Sequence, residues 1–147
     1  MNKFLRLFLL FAVCVSLSCG CSKPDKPMPL TKENVANYMQ KMETSIKSTN
    51  PKEYEEAKGN PKKLKEVFYK SFIEPMEKMG YSYDKTISGI ANQVLAKTLR
   101  TTDSAMTIMV SDLLAFAKNS RATAYQFGFI SKETKELLDQ VSLIFPR

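Results

Sequence analysis

The stretch DSAMTIMVSDLLAFAKNSRATAYQFG, Asp103 to Gly128, decides the fold class. Met106, Met109, Val110, Leu113, Leu114 and Ala117 recur at intervals of three and four, the period of one helix face. Thr102 or Asp103 suits the N-cap, where a short side-chain oxygen accepts from an amide of the first turn. Gly128 suits the stop, because a helix often ends on a residue in the left-handed conformation that glycine adopts freely. A helix is therefore predicted from about Ser104. It either continues to Phe127 or breaks near Lys118-Asn119-Ser120.

The same grammar extends to both sides. Upstream, Leu30 to Ser48 reads as a helix with Thr31 as cap, Leu30 stapled onto Val35, and Val35, Tyr38, Met39, Met42 and Ile46 on one face. Two openings follow, NPKEY at Asn50 and NPKKL at Asn60, each pairing a capping asparagine with a proline at the first helical position. Asn50 with Glu53 resembles a capping box, and Gly59 ends that short element. The next helix runs from Pro61 to Met79 with Leu64, Val67, Phe68, Phe72 and Met76 on its apolar face. Pro75 should bend it or end it early, and Gly80 closes it. Tyr83 to Leu99 carries Ile87, Ile90, Ala91, Val94, Leu95 and Thr98. Downstream, Ser131 caps a last helix with Leu137, Leu138, Val141, Ile144 and Phe145, ended by Pro146. No segment alternates with β-branched residues as a strand would. The expectation is an all-α fold: a small antiparallel bundle of about five helices plus a short one, forming a single domain over residues 31–147. Roughly 115 residues suffice for one modest core.

The chain has 147 residues, a formal charge of +7, no histidine, no tryptophan and three cysteines, all within the first 21 positions. From Ser22 onward there is neither cysteine nor histidine, which removes Ser-His-Asp and Cys-His nucleophile systems and Cys/His zinc sites from the folded body. Basic residues are interleaved with acidic ones, as in KEYEEAKGNPKKLKE, so nucleic acid is not an expected partner. No cofactor and no metal is expected.

MNKFLRLFLLFAVCVSLSCGC has a short basic start at Lys3 and Arg6, an apolar run from Leu7 to about Leu17, then small residues. That is the layout of a secretory signal peptide over residues 1–20, and the run is short of the roughly 20 residues of a membrane-spanning helix. The junction resembles the lipobox of bacterial lipoproteins, in which small residues precede a cysteine that becomes the first residue of the mature chain. Cys21, directly after Gly20, is the favoured lipidation site, with Cys19 as the alternative. Neither has leucine three positions upstream, where lipoboxes favour it. The resemblance implies anchoring by acyl chains such as palmitate. With Ser22 and not aspartate after the cysteine, it implies the outer membrane, facing the periplasm. The alternatives are ordinary signal cleavage, giving a secreted periplasmic protein, and a retained helical anchor. Residues 21–30, with Pro24, Pro27 and Pro29, read as a flexible tether in extended polyproline conformation that would hold the domain about 20–25 Å from the lipid.

Several groups carry candidate chemistry. Met39/Met42, Met76/Met79 and Met106/Met109 share helix faces and, as soft thioethers, suit Cu(I) or an apolar ligand; as adaptable fillers they suit the core better. Glu53, Glu55, Glu56, Glu66, Glu74 and Glu77 include candidates for a general acid, Glu74 being the least ordinary because it adjoins Pro75. They read first as a solvated face. Lys65 and Lys97 are candidate shifted bases with no serine placed beside them. Asp112, inside an apolar stretch, is expected to form a partly buried ion pair with Arg121 or Arg100, with an exposed polar stripe and a functional carboxylate as the alternatives. Tyr81 and Tyr83, with Tyr125, Phe127 and Phe129, sit at helix ends; they read first as cover for the core, and they form the candidate partner-binding set if one surface patch binds a partner.

The leading functional expectation is a lipid-anchored envelope protein that acts as a non-enzymatic interaction or assembly module, with membrane lipid and an envelope protein as partners. A carrier or sensor of a small apolar ligand or metal in a methionine-rich bundle is the first alternative, and a Glu-dependent envelope hydrolase the second.

Overall fold

A computed structural model describes residues 23–145; the signal-peptide region with Cys19 and Cys21, and Pro146, lie outside the described residues. Among the described residues the fold is all-α. Helix α1 spans Lys32–Ser48, α2 Pro51–Lys58, α3 Pro61–Phe68, α4 Glu74–Glu77, α5 Tyr83–Leu95, α6 Ser104–Gln126 and α7 Lys132–Ile144. A π-turn, Tyr69–Ile73, joins α3 to α4. No described helix is long and apolar enough to cross a membrane.

The caps explain where the helices begin. Thr31, Asn50, Asn60, Asp103 and Ser131 each accept from an amide of the following first turn, as their residue types predict. Ser82 does the same for α5. Helix α6 is unbroken through Lys118-Asn119-Ser120, and at about 1.5 Å per residue its 23 residues reach roughly 35 Å. It stops as predicted: Gly128 takes φ +75°, and the Phe129 amide donates to the carbonyl of Ala124 at 2.8 Å. Gly80 closes α4 in the same way, with φ +86° and the Tyr81 amide on Met76. Helix α5 is shorter than its pattern suggests. It ends at Leu95, and Lys97 takes the left-handed position with φ 55° while the Thr98 amide donates to Gln93.

Pro75 neither ends its helix nor stands in a regular one. The Glu74 amide reaches five residues back to the Tyr69 carbonyl, so the ladder widens just before the residue that has no amide proton. A proline ring collides with the carbonyl four residues earlier in a regular α-helix, and the wider turn relieves that contact. The Tyr38 hydroxyl donates to the Phe72 carbonyl inside this turn at 2.8 Å.

One core gathers the buried faces, with Val35, Tyr38, Met76, Ile87, Ile90, Leu113 and Leu138 nearly or fully inaccessible. Helices α5 and α7 pack along each other, and α6 runs against both. Their directions follow from two contacts. Near the start of α5, Asp84 accepts from the Ser131 amide that opens α7, at 2.8 Å. Near their other ends, Val94 of α5 and Val141 and Phe145 flank Ser111, Leu114 and Ala115 of α6. So α5 and α7 are parallel, and α6 is antiparallel to both.

The segment expected as a free tether is docked from Lys26 onward. Met28 is 3% exposed and belongs to the core. Its amide donates to Thr86 Oγ1 at 2.7 Å, and that hydroxyl in turn donates to the Ser82 carbonyl at 2.7 Å. The Ser82 amide donates to the Lys26 carbonyl at 2.7 Å, and Asn34 Nδ2 to the Pro29 carbonyl at 3.2 Å. Pro27 and Pro29 already restrict this strap, so little further chain entropy is lost when it lies down. The expected spacer is correspondingly shorter.

Candidate functional site

Two apolar surfaces lie on the α5–α6–α7 unit, one around the turn that joins α6 to α7 and one where the last residues of α7 meet the middle of α6. At the first, six rings contact one another: Phe68, Tyr69, Phe72, Phe116, Phe127 and Phe129. Phe72 and Phe116 are 4.2 Å apart between centroids, and Phe129 stacks on Phe68 at 5.6 Å with an 8° interplanar angle. The turn at Gly128 places Phe127 and Phe129 on the same side, so both rings reach Phe68. Only Phe68 is buried; the other five rings keep part of their surface in solvent. Lys65 Nζ sits 5.8 Å from the Phe129 centroid, at cation–π range.

Beside this cluster is a hollow of about 440 Å³ whose wall includes Lys23, Tyr69, Glu77, Tyr83 and Phe129. Two pairs of its polar groups are closed within the protein. Tyr69 donates to Glu77 Oε2 at 2.8 Å, and that hydrogen bond to a carboxylate, with burial second, pushes the phenol up to about 12. Asp25 faces Lys85 at 3.8 Å.

The second surface is apolar and open. Leu143 is 84% exposed, and Ile144, Phe145 and Ile108 are each more than half exposed. Phe145 lines a hollow of about 340 Å³ together with Val94, Leu114 and Val141. Lys118 Nζ donates to the Phe145 carbonyl at 2.7 Å and fixes the end of α7 against α6. Ile144 and Phe145, expected on the buried face of the last helix, are therefore at the surface.

The aromatic set read from the sequence divides. The YSY turn and the loop after α6 do meet, since Ser82 and Tyr83 border the same hollow as Gly128 and Phe129. Tyr125 is exposed, Phe127 and Phe129 are half-buried, and Tyr81 packs partly against the core. Tyr83, however, is a core residue at 2% exposure and is unavailable as an anchor for a partner. Its hydroxyl is buried without a hydrogen-bond partner among the described residues. Burial pushes its phenol well up, with the neighbouring Ser120 hydroxyl acting in the opposite sense. Burial does the same to Tyr38, reinforced by Tyr83 nearby.

Asp112 makes no ion pair among the described residues; it is exposed on the same α6 face as Ile108, Ala115 and Asn119. Arg121 instead pairs with Asp139, which also holds Lys135 Nζ at 2.7 Å. Those two contacts, Lys135 first, hold the Asp139 carboxyl below the usual carboxylate range. Glu74 pairs with Lys78 at 3.1 Å, Glu55 with Lys58 at 2.8 Å and Glu56 with Lys63 at 2.6 Å. Glu53 and Glu66 are exposed. Met76 is fully buried, and Met39, Met42, Met79, Met106 and Met109 pack against the same core, as fillers do. No group of acidic side chains able to hold a metal ion occurs among the described residues.

Phe116 and Tyr69 were not visible as site residues in the sequence. Phe116 sits one position off the apolar face of α6, and Tyr69 gains its place from the π-turn, which periodicity does not announce. No protein-family model matches the chain, and no curated protein and no solved structure matches it.

Proposed function

We propose that this chain is a lipid-anchored envelope protein that works as a non-enzymatic interaction module at the periplasmic face of an outer membrane, with its partner seated on the open apolar end of α6 and α7. The supporting observation is an apolar hollow walled by Val94, Leu114, Val141 and Phe145, with Phe145 itself more than half exposed and Ile108, Leu143 and Ile144 exposed on the same two helices. Isolated exposed apolar residues are ordinary on a surface, whereas an open hollow walled by apolar side chains is a common mark of an interaction site. The anchor is supported by the apolar run and the Gly20-Cys21 junction.

Both halves are testable in intact cells. A photo-crosslinker at position 143 is expected to give a discrete heavier adduct that disappears in Phe145→Asp, while one at Ile46, exposed on α1, gives none. No adduct at 143, or the same adduct from both positions, refutes the docking site. Labelling with a palmitate analogue is expected to be lost in Cys21→Ser; loss only in Cys19→Ser moves the site, and retention in both refutes the anchor.

A second reading, a carrier of a small apolar ligand, draws support from the same 340 Å³ hollow and not from the methionines, which line none of the hollows described above. Native mass spectrometry of protein drawn from membranes separates the two, since a carrier retains a bound small molecule.

A further inference from the structure

We infer that the aromatic end of the bundle, carrying Phe127, Phe129 and Tyr69, rests on the lipid bilayer, so that the domain stands on the membrane in a fixed orientation with its open apolar end pointing away. This deepens the anchor proposed above and rests on it.

The geometry starts from the strap. Its backbone is tied to the body at Lys26 and Met28, and the chain then runs out along the wall of the 440 Å³ hollow at Lys23, Pro24 and Asp25. Phe129 lines that same wall. Cys21 is two positions before Lys23, and an extended chain covers at most about 3.6 Å per residue, so the lipid-bearing cysteine lies within roughly 7 Å of Lys23. For Cys19 the limit is roughly 14 Å. An acylated cysteine lies at the headgroup boundary, so the rim of this hollow is held there too. The opposite end of α7 is 13 residues on, about 20 Å further away.

The surface that this brings to the lipid has suitable chemistry. Half-exposed aromatic rings beside lysines are the side chains that settle in the headgroup region, ring in the apolar layer and ammonium toward water. Here Tyr69, Phe127 and Phe129 provide the rings. Lys23, Lys65 and Lys85 stand among Asp25, Glu77 and Asp84, so the charges balance. Attraction to anionic lipid is accordingly minor, and the rings and the short tether set the orientation.

The chain contains no tryptophan, so one substitution installs a single fluorescent reporter. Phe129→Trp reports on the aromatic end, Tyr125→Trp does so from an exposed position of the same region if the first variant does not fold, and Leu143→Trp reports on the far end. Each full-length lipidated protein is reconstituted into phosphatidylcholine vesicles with brominated acyl chains, which quench only nearby indoles. The expected result is loss of most emission at position 129 or 125 and none at 143. Quenching at 143, or at neither end, in protein whose intact mass shows the acyl chains overturns the orientation and leaves the anchor standing. An intact mass without acyl chains overturns the anchor itself, and the orientation with it.

Discussion

Tyr38 and Tyr83 offer the same chemical edit with opposite expected signs. Both side chains are essentially inaccessible. The Tyr38 hydroxyl donates to the Phe72 carbonyl at 2.8 Å, within the widened turn before Pro75. Tyr38→Phe removes that bond and leaves an acceptor short of a partner, a loss of about 1–2 kcal/mol. The Tyr83 hydroxyl has no partner among the described residues, and the nearby Ser120 hydroxyl donates to the Phe116 carbonyl at 2.8 Å. An unpaired buried hydroxyl costs about 1–3 kcal/mol in proteins, and deleting one oxygen forfeits some packing, so Tyr83→Phe is expected to gain about 1 kcal/mol. The two variants then differ by about 2–3 kcal/mol. With a urea slope of about 1–2 kcal/mol/M, their unfolding midpoints separate by more than about 1 M, on either side of the parent protein. Circular dichroism during urea titration at neutral pH measures this directly. Equal destabilisation in both variants would show that Tyr83 is satisfied after all and would refute the reasoning.

Other perturbations address other parts of the molecule. Met28→Ala is expected to destabilise the domain by about 2–4 kcal/mol in the same titration, since the side chain belongs to the core; a free tether would give a change within about 0.5 kcal/mol. Lys97→Gly relieves a left-handed residue at φ 55° and is expected to raise stability by about 0.5–1 kcal/mol, seen as a higher melting temperature. Asp139→Asn breaks the contacts to Lys135 and Arg121 and should cost about 0.5–1 kcal/mol at neutral pH, discounted for partial exposure. Because the folded carboxyl titrates below its unfolded value, this contribution is complete above about pH 4 and fades as pH falls further; a gap between the two proteins that persists at pH 2 would contradict it.

The helices were readable because their signals are local. A cap needs only its own first turn, and Asp103, Asn60 and Ser131 do in three dimensions what they announce in sequence. What failed depended on angle or distance. Asp112 looked buried because its neighbours in the chain are apolar, yet at 100° per residue it shares a face with Ile108 and Ala115, two apolar residues that are themselves exposed. Met28 sits alone between prolines, with no period to mark it as core, and its partner Thr86 is 58 positions away. The aromatic cluster combines Phe68 and Phe72, foreseen on one helix, with Phe116 and Phe129 from two later segments. Only the pairing of helices, which no local signal encodes, brings them together.

The distance from the strap to its dock also has a meaning in time. Lys26 and Met28 cannot be fixed until Ser82 and Thr86 exist, because those residues supply the amide and the hydroxyl that hold them. The strap leaves the ribosome before its dock, which follows 58 residues later. At about 5–20 residues per second that interval is roughly 3–12 s. Throughout it, Lys26 and Met28 have no dock, and the strap is held only where Asn34 meets the Pro29 carbonyl.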